Sequence, residues 1–211
     1  MILYANLFNF ALSNYFISRL IDLENDDESK LKMAIKNLEF SVGILDKIKT
    51  AKNNQLEKIP VTLWSLSKIK TPNFSYIKNA KKSIFKNGFT ISEWPDAKNY
   101  ALENITLNND LITLKSSNEF PQKIGVDAKN WVASYINNNL FVESFEFDES
   151  ATYPDFGTSV TIFGNKLFSE LEVLSPEKHL KIGESIKYTI KWNLIKKSCK
   201  EEAEKYLQQL P

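Results

Sequence analysis

Apolar and polar residues alternate from Phe156 to Leu194 with few interruptions, and this pattern constrains the fold of the 211-residue chain more than any other feature. A period of two is typical of β-strands that bury one face and expose the other. Gly164-Asn165 lies where a two-residue hairpin turn is needed, and both residue types tolerate the positive φ angles of such turns. The pattern therefore predicts an antiparallel sheet with one buried face. The side chains predicted on that buried face are Phe156, Val160, Ile162, Leu167, Leu171, Val173, Ile186, Tyr188, Ile190, Trp192 and Leu194.

The beginning of the chain favours helices instead. Residues 2–23 are apolar around most of a helical circumference, and residues 29–49 carry apolar side chains at steps of three and four. Together the two segments predict an antiparallel helical hairpin. The first helix is more apolar than one neighbouring helix can cover, so it is expected to bind a protein partner or a second copy of the chain. The candidate partner-binding residues are Leu3, Leu7, Phe10 and Phe16.

The predicted fold class is α+β, with an N-terminal helical hairpin or bundle followed by a mixed part. In the mixed part, a mainly antiparallel, one-faced sheet of about four strands is flanked by helices. The predicted division is a helical region at 1–87 and an α+β region at 88–211, although no linker prevents one continuous domain. Outside the alternating stretch, helices are expected at 61–70, 73–87, 95–103, 127–139 and after Ser198, a hairpin at 105–114, and strands at 89–94 and 140–147.

The charge composition gives no electrostatic reason to expect nucleic acid or an anionic membrane as a partner, because the formal net charge is +1. Arg19 is the only arginine, and arginine is the residue best suited to bidentate contacts with phosphate and guanine. Polar residues interrupt the uncharged segment 2–18, so a membrane span is not expected.

Cys199 and His179 are the only cysteine and the only histidine. One cysteine cannot form an intrachain disulfide, and one histidine excludes metal motifs that need two. The sequence therefore predicts no cofactor and no resident metal, and the cytoplasm is the expected location.

Three lysines in the segment 73–87 are spaced four residues apart. On the predicted helix, Lys78, Lys82 and Lys86 would form one stripe. Such a stripe could contact an anion or a nucleic acid backbone, since lysines neutralise phosphates without reading sequence. The simpler interpretation is a solvated helix face, and a third is docking against an acidic surface.

The predicted hairpin around Gly164-Asn165 carries acids on its polar face. Taking these two residues as the turn places Asp155, Glu170 and Glu172 on one face, with Asp155 opposite Leu174. Clustered carboxylates can hold a divalent metal that activates water for phosphodiester cleavage. The alternative is that the acids form ordinary cross-strand pairs with Lys187 and Lys191 on a polar outer face.

The same segment resembles the metal-binding hairpin of the restriction-endonuclease-like nucleases. Their motif is Pro-Asp, a hairpin, and then Asp/Glu-x-Lys on the next strand. Here Pro154-Asp155 stands at the start of the first strand, and Glu172-Val173-Leu174 takes the second place with leucine where the motif has lysine. The resemblance implies a metal-dependent nuclease with Asp155, Glu170 and Glu172 as its catalytic residues.

Two functions therefore follow from the sequence. The favoured one is a non-catalytic protein-interaction subunit or adaptor of a larger bacterial-type assembly, which uses the apolar N-terminal helix as its contact surface. The alternative is the metal-dependent nuclease. Since no other catalytic residue pattern is present, the sequence favours a protein that is not an enzyme.

Overall fold

The computed structural model describes residues 60–80, 82–91, 102–116, 121–181 and 184–211. Within these ranges most of the regular secondary structure is β-strand. The strands are β1 (Pro60–Val61), β2 (Trp64–Lys70), β3 (Phe74–Asn79), β4 (Thr90–Ile91), β5 (Ile105–Asn108), β6 (Leu111–Lys115), β7 (Gln122–Val126), β8 (Ala128–Ile136), β9 (Asn139–Ser144), β10 (Val160–Gly164), β11 (Phe168–Leu174), β12 (Lys178–His179) and β13 (Lys191–Lys196). The described helical elements are 3-10 turns at Leu102–Asn104 and Asp155–Gly157, and the α-helix α1 at Lys200–Leu207.

The described strands form three antiparallel sheets. The order in the six-stranded sheet is β13-β9-β8-β3-β6-β5, and the order in the five-stranded sheet is β2-β11-β10-β7-β4. β1 and β12 form a separate two-stranded sheet. The two larger sheets contribute alternate side chains to one shared core, so they pack face to face as a β-sandwich.

The core between the sheets consists mainly of branched aliphatic side chains. Each of them contributes about 1.5–3 kcal/mol when it is fully buried, so this interface dominates the stability of the fold. The five-stranded sheet supplies Ile69, Ile124, Val126, Val160, Ile162, Leu171 and Val173, and the six-stranded sheet supplies Ile77, Ile112, Leu114, Val132, Phe141 and Trp192.

The six-stranded sheet is also buried on its second face, where α1 packs. Ala203 and Leu207 of the helix contact the alternate positions of β3, β8 and β9. The sheet residues in this second cluster are Tyr76, Trp131, Ala133, Tyr135, Leu140 and Val142. Consequently β8 has no consistently polar side, and its residues 131–136 are all buried.

The predicted α+β class is wrong for the described residues, because the helices expected at 61–70, 73–87 and 127–139 are the strands β2, β3 and β8. A strand that is buried on both faces carries apolar residues on both of them, so its sequence no longer alternates between apolar and polar residues. The spacing of Trp131, Val132, Tyr135 and Ile136 imitates a helical stripe, although these side chains lie on two opposite faces of β8. The helical hairpin predicted at 2–49 lies outside the described residues.

Several local predictions are confirmed. The sheet is antiparallel, the hairpin at 105–114 is present as β5 and β6, and a strand occupies most of 140–147. The final helix is present as α1. Strands that precede residue 87 pair with later ones, since β2 lies beside β11 and β3 lies beside β8.

The turn between β10 and β11 differs from the predicted one. Val160 pairs with Val173 and Gly164 pairs with Ser169, so the two turn residues are Lys166 and Leu167. The Asn165 side chain accepts hydrogen bonds from the backbone N–H groups of Leu167, at 2.8 Å, and Phe168, at 3.0 Å. This local bonding stabilises the later turn, which needs no positive φ.

Two residues expected on the buried face are exposed instead. Leu167 is in the turn, and Phe156 is 93% exposed. The alternation does not reach back to Phe156 because Asp155, Phe156 and Gly157 all have positive φ angles in the 3-10 turn that precedes β10. From Val160 onward the predicted inward positions of β10 and β11 are confirmed, with Ile162, Leu171 and Val173 in the core.

Among the residues that the structure describes, no helix combines the length and the apolar character that crossing a bilayer requires.

One carboxyl group is buried inside the sandwich core. Glu143 and Phe141 lie on the same face of β9. The Oε1 of Glu143 accepts a hydrogen bond from Ser67 Oγ of the facing sheet. Burial raises the pKa of Glu143 from 4.5 to about 8, although hydrogen bonds with Ser67 and Trp192 lower it. The folded protein therefore holds this carboxyl in its protonated form at neutral pH.

We predict that Glu143 makes stability fall as the pH rises. Between the unfolded-state pKa of 4.5 and the folded-state pKa of about 8, the folded protein binds more protons, so stability that is complete below this window is lost through it. In Glu143→Gln this loss should shrink by about 3 kcal/mol, as measured by urea unfolding from about pH 5 to about pH 8. Glu146→Gln, at an exposed position nearby, should follow the parent protein. Superimposable pH profiles for the parent and Glu143→Gln would contradict the prediction.

Candidate functional site

The outer face of the five-stranded sheet is not the solvated surface that the alternation predicts. Leu171 and Val173 point into the sandwich core, so Glu172 between them points outward from it, yet Glu172 is buried. Its direct cross-strand neighbours, Leu66 on β2 and Thr161 on β10, are buried as well. A buried carboxyl in this position requires specific partners.

Both oxygens of Glu172 have a partner. Lys123 Nζ on β7 donates to Oε1 at 3.0 Å, and Trp64 Nε1 on β2 donates to Oε2 at 3.1 Å. The two donors approach from opposite sides because β11 lies next to β2 and one strand away from β7. We name Trp64, Lys68, Lys123, Glu170 and Glu172 the Glu172 cluster.

The cluster becomes more accessible from Glu172 toward Lys68. The exposed fraction of the side chain is 5% for Glu172, 14% for Lys123, 21% for Glu170 and 45% for Lys68. Lys68 lies directly opposite Glu170, with 4.0 Å between Nζ and Oε1, and its ammonium is 3.6 Å from the centre of the Phe168 ring. The cluster therefore has a buried end at Glu172 and an open end at Lys68.

Burial raises the pKa of both acids, and the neighbouring ammonium groups lower it. Burial raises the pKa of Glu172, and the Lys123 ammonium lowers it while the Glu170 carboxylate raises it further. Burial also raises the pKa of Glu170, against the attraction of Lys68 and Lys123. A carboxyl whose pKa is perturbed by burial together with a specific charged partner is typical of functional sites.

Two buried threonine hydroxyls on or near this face of the sheet have no hydrogen-bond partner. Thr161, directly opposite Glu172, and Thr158 are both about 1% exposed, and neither Oγ1 is bonded. Thr158 fits over this face because Gly125 has no side chain: a Cβ there would lie 2.5 Å from Thr158 Cγ2. Most buried polar atoms in proteins are paired, so unpaired hydroxyls next to a buried acid indicate a place for a hydrogen-bonding ligand.

Among the predicted site acids, Glu170 and Glu172 lie together and Asp155 does not join them. Asp155 is in the exposed 3-10 turn before β10, and Leu174 N donates to Ser159 O instead of facing Asp155. Within the described ranges, which include all three acids, no group of three His, Cys, Asp or Glu side chains could hold a metal ion. The expected partners Lys187 and Lys191 are exposed, and Lys191 belongs to β13 in the other sheet.

The predicted lysine stripe does not exist in this geometry, because residues 74–79 are a strand and not a helix. Lys78 is on β3 and donates to the backbone carbonyl of Leu210 at 3.0 Å. Lys82 and Lys86 are exposed in the connection between β3 and β4. Whether any of them contacts an anion stays a prediction.

Three members of the cluster were not foreseen from the sequence. Trp64 and Lys68 belong to the alternating pattern Trp64-x-Leu66-x-Lys68, which indicates a strand, but the sequence analysis predicts a helix at 61–70. Lys123 lies in a part of the chain for which the sequence analysis predicts neither a helix nor a strand. A strand assignment for 64–70 would have placed Lys68 on a polar face available to Glu170.

Comparison of the chain with family models, with curated proteins and with solved structures finds no match. Its function therefore has to be inferred from the geometry of its own residues.

We predict that Lys123 stabilises the fold far more than Lys68. Lys123→Met leaves the Glu172 carboxylate buried without its ammonium, which should cost about 3–5 kcal/mol of unfolding free energy at pH 7.5. Lys68→Met breaks a longer and more exposed pair and should cost less than about 1 kcal/mol. Urea unfolding of both variants measures the difference.

The pH dependence provides an internal control. Loss of Lys123 raises the folded-state pKa of Glu172 further, so the destabilisation should be small below the ordinary carboxyl pKa and should grow as the pH rises above it. Equal effects of the two lysine variants, or a Lys123→Met effect that does not change with pH, would contradict a buried Lys123–Glu172 pair.

Proposed function

We propose that the chain is a ligand-binding β-sandwich module, that the Glu172 cluster is its binding site, and that the ligand is a small neutral molecule rich in hydroxyl groups, such as a sugar or a polyol. The observation that carries the proposal is the buried Glu172 carboxyl, held between Lys123 and Trp64 beside unpaired threonine hydroxyls. A ligand would enter from the open end at Lys68 and Glu170.

The charge balance of the cluster supports a neutral ligand. Two carboxyls face two ammonium groups, so the cluster has no excess charge with which to attract an ion. Carboxylates only accept hydrogen bonds and ammonium groups only donate them, and a hydroxyl group can satisfy both kinds. The cluster thus provides paired acceptors and donors of the kind that adjacent hydroxyls require.

Aromatic rings around the cluster support the same ligand class. The indole of Trp64 donates to Glu172, and Phe168 lies beneath the Lys68 ammonium with Phe163 at 5.8 Å between ring centres. Aromatic rings provide flat apolar surface at low cost in conformational entropy, and binding sites usually combine such surface with a few convergent polar groups. The C–H faces of a sugar ring match that combination.

We predict that a neutral monosaccharide binds this face and that binding depends on Glu172. The probes are glucose, galactose, mannose and glycerol, each titrated into the full chain while the indole N–H resonance of Trp64 is followed by NMR. Glu172→Gln should weaken binding by at least about tenfold, because a carboxylate hydrogen bond contributes about 1.5–3 kcal/mol. Glu184→Gln, at an exposed position, is the matched control.

Thr161→Val separates ligand binding from folding. The valine removes an unpaired buried hydroxyl at constant shape, so the free energy of unfolding should stay equal or rise by about 1 kcal/mol. Ligand affinity should fall, because the ligand loses the partner that Thr161 provides. If no probe in the panel binds at millimolar concentration, or if Glu172→Gln binds as tightly as the parent protein, the proposal is overturned.

A protein-interaction subunit in the cytoplasm is the second candidate. Its expected contacts, Leu3, Leu7, Phe10 and Phe16, lie outside the described residues. One observation favours it: Ile84 and Phe156 are 65% and 93% exposed, and Ile84 lies against Gly157, the residue that follows Phe156. Neighbouring exposed apolar side chains are typical of contact surfaces. No observation favours the nuclease alternative, so we do not propose it.

For this second candidate we predict association through Ile84 and Phe156. The double variant Ile84→Ser, Phe156→Ser should keep the parent unfolding free energy within about 0.5 kcal/mol, because both side chains are exposed. Light scattering over a concentration series should show self-association of the parent that the double variant lacks. A parent protein that stays monomeric, or one whose association is unchanged in the double variant, would argue against this surface as a self-contact.

A further inference from the structure

A cavity lies away from the Glu172 cluster, between the outer face of the six-stranded sheet and α1. Its volume is about 110 Å3, and its lining residues are Lys78, Asp110, Leu111, Trp131, Leu207 and Gln208. A water molecule takes up about 30 Å3 in the liquid, so the cavity has room for a few waters or for one small organic molecule. None of its lining residues belongs to the Glu172 cluster.

Trp131, one of the lining residues, carries a buried hydrogen-bond donor without an acceptor. Trp131 is 2% exposed, and its Nε1 has no hydrogen-bond partner. The indole nitrogen can only donate, and leaving such a donor unpaired in the interior costs about 1–3 kcal/mol. An occupant of the cavity would therefore contribute an acceptor to Trp131.

The two charged side chains that line the cavity are those of Asp110 and Lys78. Lys78 Nζ donates to the carbonyl oxygen of Leu210 at 3.0 Å, and an ammonium group has three donors, so further donors are available to an occupant. Leu111 and Leu207 provide apolar wall on the sheet side and the helix side. An occupant with two acceptor oxygens and a short aliphatic part matches this combination of two donor groups and two leucines.

We propose that this cavity binds a small aliphatic monocarboxylate, with acetate as the simplest example. The carboxylate oxygens accept hydrogen bonds from Trp131 Nε1 and Lys78 Nζ, and the aliphatic carbons contact Leu111 and Leu207. Charge-assisted hydrogen bonds of this kind are stronger than neutral ones. Asp110, an exposed residue that also lines the cavity, repels negative charge, which disfavours dianions and limits the affinity for the monoanion.

The test uses the full chain and sodium acetate, with sodium chloride at the same ionic strength as the reference. The indole N–H resonance of Trp131 is identified by its loss in Trp131→Phe and is then followed by two-dimensional NMR. We expect a saturable shift with acetate and none with chloride. Lys78→Met should weaken acetate binding by at least about tenfold, whereas Lys82→Met, at an exposed position, should leave it unchanged.

Asp110→Asn provides a variant that does not depend on the Lys78–Leu210 contact. Asp110 is exposed, so its replacement should leave the fold intact, and removal of the like charge should strengthen acetate binding by about threefold or more. Absence of an acetate-specific shift in the parent, equal affinity in Lys78→Met, or unchanged affinity in Asp110→Asn would overturn the proposal. Because the two sites share no residue, failure here leaves the Glu172 cluster untouched, and failure of the sugar titration leaves this cavity untouched.

Discussion

The two large sheets share one apolar core, and each also carries buried side chains on the face that points away from it. On the six-stranded sheet, the second face is covered by Ala203 and Leu207 of α1. On the five-stranded sheet, the second face buries Leu66, Thr161 and Glu172. This double burial determines which polar groups must find partners inside the protein, because a sheet face without water can satisfy a carboxyl or an indole only through neighbouring side chains or a ligand.

The period of two correctly predicted the inward-facing residues of β10 and β11. Val160, Ile162, Leu171 and Val173 alternate with polar residues, so their inward direction could be read from the sequence. The same rule failed for β8, where Trp131, Ala133 and Tyr135 pack under α1 while Val132 packs into the core. Apolar residues on both faces of a strand remove the period of two, and helical spacing then fits them by coincidence. The turn Asn137-Asn138, with φ angles of 48° and 60°, is the local signal that would have favoured a hairpin over a helix.

The candidate site could be predicted only in part for a related reason. Glu170 and Glu172 were singled out because they share a face of one strand, and that relation survives the different turn position. Their partners come from β2 and β7, which are distant in sequence, and strand order within a sheet cannot be read from alternation. The expectation of a wet outer face also assigned Glu172 to water, whereas Lys123 and Trp64 hold it in a buried position. A carboxyl that has exchanged water for an ammonium and an indole is the most informative feature of the molecule, because such a group is costly to maintain without a role.

The pH titration of the Glu172 carboxyl shows most directly whether this group is buried between Lys123 and Trp64. Carbon-13 NMR of the chain labelled at glutamate side-chain carboxyls, with Glu172→Gln to identify the resonance, reports the midpoint for this one group. We expect a midpoint above the ordinary glutamate pKa of 4.5, since burial outweighs the attraction of Lys123. We also expect the Trp64 indole resonance to change with the same midpoint, because Trp64 Nε1 donates to that carboxyl. A midpoint at or below the ordinary value, with a Trp64 resonance that does not respond, would show a solvated carboxylate and contradict the buried site.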